Sequence, residues 1–193
     1  RAPVTLSFFD GDSVSLSPVF SSEINREDLV SAFSSYSPYI YQGYYRPIEI
    51  RDDVLLISYN TCSDNPSYPI KDFASDLKKS LSKKKYSTII VDLRYNGGGN
   101  SAVLNPVIKV LKKEKCSKYA LIGENTFSSA ILNAVSLKDD AGFILVGTPT
   151  GGSINHYGEL KSFTLPETGW EVYYSSKFFK LSRKYNGSII PDV

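Results

Sequence analysis

Methionine is absent from this chain, histidine and tryptophan occur once each, and cysteine occurs twice. One imidazole and two thiols are too few for a structural zinc, which takes about four such ligands; no metal is expected. Cys62 should follow one strand and Cys116 should precede another. In a parallel sheet those positions lie at opposite edges, out of reach of a bridge, so both thiols are expected to be free. A chain without methionine is expected to be a mature, trimmed or partial product whose targeting signals are no longer visible. No stretch approaches the ~18 apolar residues that span a bilayer, so no membrane-spanning segment is expected. Charge of one sign is also lacking: 22 Lys and Arg face 20 Asp and Glu, a net of +2. That balance argues for neither nucleic acid nor an anionic membrane as partner. The basic run Lys83–Lys85, after Lys78 and Lys79, reads as a solvated helix end, where cations meet the negative end of the dipole.

What is present is ordinary globular material, 41% hydrophobic and 22% charged over 193 residues, enough for one well-filled core. Apolar and polar residues alternate around Asp10-Gly-Asp12, with Val4, Leu6 and Phe8 on one arm and Val14 and Leu16 on the other, as in a hairpin. The two aspartates have no further acidic ligands at calcium-loop spacing, so they read as a turn. Asn25 is expected to cap a short helix over Arg26–Phe33. The segment Tyr36–Pro47, with tyrosines at 36, 39, 41, 44 and 45, is expected to be an ordered loop or edge strand. From residue 54 the pattern becomes β-α repeating. Strands are predicted over Val54–Tyr59, Thr88–Leu93, Tyr119–Ile122 and Phe143–Val146. Helices are predicted around Ile70–Leu81, Val103–Leu111 and Ser129–Leu137. Near-continuous apolar strands between amphipathic helices imply a mainly parallel α/β sheet with crossover helices. A closing hairpin is predicted, Ser162–Leu165 and Trp170–Tyr174 about a turn at Pro166–Gly169. The expected organisation is one domain: a β-rich appendage over 1–50 packed on a core over 51–193.

Two stretches carry chemistry. Thr88-Ile-Ile-Val-Asp-Leu-Arg-Tyr-Asn-Gly-Gly-Gly-Asn-Ser101 delivers three glycines from the end of a buried strand, where backbone N–H groups can meet an anion. Thr126-Phe-Ser-Ser-Ala130 places hydroxyls where another strand gives way to a helix. A serine attacks a carbonyl only with a base for its proton and donors for the oxyanion. Gly97, Gly98, Gly99 and the amide of Ser129 are the candidate donors, and Ser128 is the candidate nucleophile. Taken alone, Ser128 or Ser129 reads better as a helix N-cap than as a nucleophile.

In combination and in this order, the motifs resemble those of the tail-specific, or C-terminal-processing, serine peptidases (peptidase family S41), the group that includes the tricorn core protease. Asp92-Leu-Arg-Tyr-Asn-Gly-Gly-Gly99 matches the family's Asp-Leu-Arg-x-Asn-x-Gly-Gly. Thr126-Phe-Ser128 matches the Thr-x-Ser that holds the nucleophile, and Val146-Gly-Thr-Pro-Thr-Gly151 matches a downstream Val-Gly-x-x-Thr-x-Gly. The closing Ile190-Pro-Asp-Val193 recurs in such domains. The likeness runs from about residue 54 to the end. It implies the fold shared by ClpP and the crotonases, built of repeated ββα units. It also implies peptide-bond hydrolysis through a Ser128 acyl-enzyme, peptide or protein substrates, no cofactor, and an extracytoplasmic setting. Members often carry a PDZ module, which nothing here resembles.

One departure matters. Where processing peptidases place a catalytic lysine, this chain has Gly152-Ser153, and no lysine follows before Lys161. Its single histidine, His156, stands beside that position and is the candidate base, with Glu159 as its orienter. A catalytically inactive peptide-binding domain on the same fold is the main alternative. A third reading takes Gly97-x-Gly99-x-x-Ala102 as a dinucleotide fingerprint with Glu124 near the ribose. Against it, Arg94-Tyr95-Asn96 intervenes where a tight turn is wanted.

Overall fold

A computed structural model describes Val4–Ser7, Ser13–Leu16 and residues 43–193. The chain forms two compact units, Arg1–Ile40 and Tyr41–Val193. In the first, β1 (Val4–Ser7) and β2 (Ser13–Leu16) pair antiparallel with Val4 opposite Leu16 and Leu6 opposite Val14, as their alternation requires. The Asp10–Asp12 turn, the helix expected over Arg26–Phe33 and the tyrosines at 36, 39 and 41 lie outside the described residues.

The second unit is built on a five-stranded sheet in the order β3-β4-β5-β6-β7. These are β3 (Tyr45–Arg51), β4 (Val54–Tyr59), β5 (Thr88–Asp92), β6 (Ser117–Ile122) and β7 (Ile144–Gly147). Strands β4 to β7 run parallel, and β3 runs antiparallel to β4 at one edge. All six residues of β4 are buried, which is what a continuous apolar run in a covered parallel sheet requires. Strand β3 belongs to a stretch the sequence pattern assigned to the N-terminal appendage, yet it is the edge of the core sheet. Tyr45 anchors it: the ring packs 5.1 Å from Phe73, and the hydroxyl donates to Asp64 Oδ1 (3.0 Å) and the Tyr68 carbonyl (2.6 Å).

Helix α1 (Ile70–Lys83) buries Ile70, Phe73, Ala74, Leu77 and Leu81, spaced three and four apart on one face. Its N-cap position is Pro69, which has no capping side chain; Asp64 Oδ1 accepts the Ile70 N–H instead (2.6 Å). A 3₁₀ turn (Ser101–Leu104) leads into the short α2 (Asn105–Leu111). Helix α3 (Ser129–Ala141) ends at Gly142 in the left-handed conformation, φ 74°. The architecture is mixed α/β with a mainly parallel sheet.

The last hairpin is longer than the sequence pattern indicates, with β8 (His156–Thr164) and β9 (Glu171–Phe179) paired antiparallel. Nearly all its side chains face solvent on both faces, so no apolar-polar alternation marks where the strands begin. The chain then returns to the sheet, where the Asp192 N–H donates to the Leu145 carbonyl (2.8 Å) and the Gly147 N–H to the Val193 carbonyl (3.0 Å).

Candidate active site

Because β4 to β7 are parallel, the loops leaving β5, β6 and β7 emerge at one edge of the sheet, the usual place for a site in such folds. The loop after β5 starts with a locked corner. Arg94 Nε and Nη2 donate to the two Asp92 oxygens (3.0 and 2.7 Å), and the Arg94 backbone N–H donates to Oδ1 as well (3.0 Å). Asp92 and Arg94 thus fix the turn.

Asn96, fully buried, then holds the glycines. Its Nδ2 donates to the Tyr59 carbonyl of β4 (2.9 Å), and its Oδ1 accepts the Gly98 N–H (3.0 Å). Its carbonyl accepts the Phe127 N–H from the loop after β6 (3.0 Å). Thr126, also buried, ties that second loop down: Oγ1 donates to the Leu93 carbonyl (2.9 Å) and accepts the Gly123 N–H (3.0 Å).

Between these clamps Ser128 takes φ 52°, ψ −123°, a conformation that costs a non-glycine residue about 1–3 kcal/mol. It precedes α3 but makes no capping hydrogen bond. Ser129 Oγ is engaged differently, donating to the Gly99 carbonyl (2.6 Å). Ser128 thus occupies the N-cap position, but neither serine side chain caps the helix. Gly98 presses on the same corner at φ 109°, where an added Cβ would stand 2.8 Å from Ser128 Cβ.

The four candidate oxyanion donors are not equivalent. The Gly98 N–H is committed to Asn96. Among the described residues no acceptor meets the amides of Gly97, Gly99 or Ser129. The Gly98 carbonyl accepts the Cys62 N–H (2.9 Å), and in a trans peptide the Gly99 N–H points the opposite way. Gly99, Ser128, Ser129, His156 and Glu159 all line one cavity of about 370 Å³. An adjoining cavity of about 350 Å³ is lined by Phe127, Ser128, Ser153, His156, Tyr157 and Leu160 among others.

His156 opens β8, and its ring lies 5.6 Å from that of Phe179. Its Nδ1 stands 3.2 Å from the Ile154 carbonyl. A carbonyl only accepts, so in the neutral ring Nδ1 carries the proton and Nε2 the lone pair. Among the described residues no hydrogen bond joins His156 to Ser128. Glu159 lies three residues along the strand, with φ 56°, and lines the same cavity as His156. The backbone carbonyl of Ile154, not this carboxylate, meets Nδ1.

A buried network beneath the glycines escaped the sequence reading. The Cys62 thiol lies 3.1 Å from Asn133 Oδ1 and 3.4 Å from Asn96 Oδ1. Asn133 Nδ2 donates to the Ser101 carbonyl (2.8 Å). Burial pushes the Cys62 thiol up to about 11. The visible signal was Asn133 at a core spacing on an otherwise apolar helix face. The glycines open onto a 3₁₀ turn rather than an α-helix N-terminus, so the phosphate site a dinucleotide fingerprint needs is not formed there.

No known family profile matches the sequence, and no curated protein does. Solved structures share its architecture. Mature CPAF in complex with lactacystin is 12% identical, with a TM-score of 0.54 over 98% of this chain and 62% of that one. A candidate peptidase from Parabacteroides merdae ATCC 43184 is 16% identical, with a TM-score of 0.54 over 83% of this chain and 60% of that one. The fold is similar to that of these two proteins. A lipoprotein from Streptococcus agalactiae, 18% identical, has a TM-score of 0.50 over 86% of this chain and 68% of that one. At these identities the likeness is one of fold.

Proposed function

We propose that this chain is a serine peptidase of the S41 type in which Ser128 forms the acyl-enzyme. The observation that carries the reading is Ser128 itself. It is strained, uncapped and half-exposed at the start of α3, against a glycine loop with unengaged amides, in a cavity shared with the only histidine. Ser128 Oγ attacks the scissile carbonyl while His156 Nε2 takes its proton and later returns it to the leaving amine. The amides of Gly99 and Ser129 receive the oxyanion, with Gly97 as an auxiliary donor; Gly98 supplies close approach rather than a donor. The Ile154 carbonyl orients the imidazole, and Glu159 contributes negative potential near it. Water then hydrolyses the ester by the same route. The reading calls for no metal or organic cofactor and takes peptide or protein substrates.

The lack of a hydrogen bond between Ser128 and His156 favours a second reading, a domain that binds extended peptide without cleaving it. Incubation with an unfolded protein such as casein, followed by mass spectrometry of the products, separates the two. Cleavage by the parent chain and its loss in Ser128→Ala, by at least ~10³-fold, supports the peptidase. Equal binding by both without new termini supports the binding domain.

A further inference from the structure

The β8–β9 ribbon is the most exposed apolar feature of the described residues. Tyr157, Phe163, Trp170, Tyr173, Tyr174 and Phe178 are each between 47% and 71% exposed. Two of them already meet in a cross-strand pair, Tyr157 tilted against Phe178 with 4.8 Å between ring centroids. Among the described residues β9 pairs only with β8, and the other edge of this nine-residue strand pairs with none of them. Its only charged residues are Glu171 and Lys177, few for an edge that stays single.

We infer that the free edge of β9 pairs with β9 of a second copy of this chain, antiparallel about a two-fold axis, to form a four-stranded sheet. Strand addition satisfies the edge backbone, which a lipid surface cannot do. A register centred on Ser175 sets Tyr173 opposite Lys177 of the second copy and Val172 opposite Phe178. Only Ser175 then faces its own counterpart, so neither charged residue meets its like, and Tyr173 gains a cation over its ring. Pairing of this kind closes at two copies and leaves β8, which lines the Ser128 cavity, untouched. The inference is independent of the peptidase reading.

Light scattering across a wide dilution series of the chain tests it, with the emission of Trp170, the single tryptophan, read in parallel. The expected result is a molar mass that doubles with concentration, with a shift of emission to shorter wavelength over the same range. Tyr174→Lys with Phe178→Lys should abolish the doubling. So should Ser175→Lys, which puts like charges on the two-fold axis, while Tyr174→Phe should retain it. These positions are exposed in the single chain, and circular dichroism will report that the variants remain folded. A monomer at every concentration overturns the inference. So does a dimer indifferent to the lysines, or an emission shift produced by phosphatidylserine vesicles and not by concentration.

Discussion

Ser128 holds φ 52° because its neighbours leave it no choice: the Phe127 N–H is bound to the Asn96 carbonyl, and the Ser128 carbonyl accepts the Ile131 N–H. Glycine tolerates that conformation without a Cβ penalty. Ser128→Gly should therefore be about 1 kcal/mol more stable than Ser128→Ala in urea unfolding, although both lose the hydroxyl; equal stabilities would mean the residue is not strained. Gly98 makes the converse case. A Cβ there would stand 2.8 Å from Ser128 Cβ and 3.0 Å from the Phe127 carbonyl oxygen. Gly98→Ala should cost about 2–3 kcal/mol and displace the serine, measurable as a lowered Tm. The glycine run and the serine were legible in the sequence because each needs a particular residue type. The division among the glycines was not, because only the three-dimensional path of the loop shows that the Gly98 amide is spent on Asn96.

At the scale of elements, three loops and one helix are joined by buried polar groups rather than by apolar contact. Asn96 reaches β4, the glycine loop and the Ser128 loop, and Cys62 and Asn133 link that set to α3. Asn96→Ala would strand the buried Tyr59 carbonyl and free the half-buried Gly98 N–H from its acceptor, a loss of about 2–4 kcal/mol that urea unfolding would register. The thiol at the centre is protected by burial. In the native protein iodoacetamide should modify Cys116, which is partly exposed, well before Cys62; mass mapping of early adducts on Cys62 would contradict the network. The strands and helices of the parallel sheet were legible from apolar runs and helical spacing, since burial on both faces leaves that pattern. The length of the β8–β9 ribbon was not, because a strand exposed on both faces has no buried side to mark it. The bounds of strand β3 were blurred for a related reason: beyond the buried Tyr45 its side chains are mostly exposed or half-buried, so little apolar pattern marks where it runs.

For the molecule as a whole, the segment running into Val193 is stitched beside β7. Asp192 bonds Lys138 and accepts the Leu145 N–H (2.9 Å), which holds its carboxyl below the usual carboxylate range, chiefly through the Lys138 hydrogen bond. Asp139 is lowered likewise, first by Lys184. A carboxylate with a depressed folded value stabilises above its unfolded value, near ~4. That contribution is lost as the pH falls through the folded value. The Tm difference between the parent chain and Asp192→Asn should therefore be present at neutral pH and close below about pH 4; a difference independent of pH would rule the pair out as its source. The central claim, an activated serine served by the lone histidine, is tested most directly by a fluorophosphonate probe read by intact mass and peptide mapping. The account predicts a single adduct on Ser128, absent from Ser128→Ala and strongly reduced in His156→Ala. A parent chain that takes no adduct, or a Ser128→Ala variant that still takes one, would contradict it.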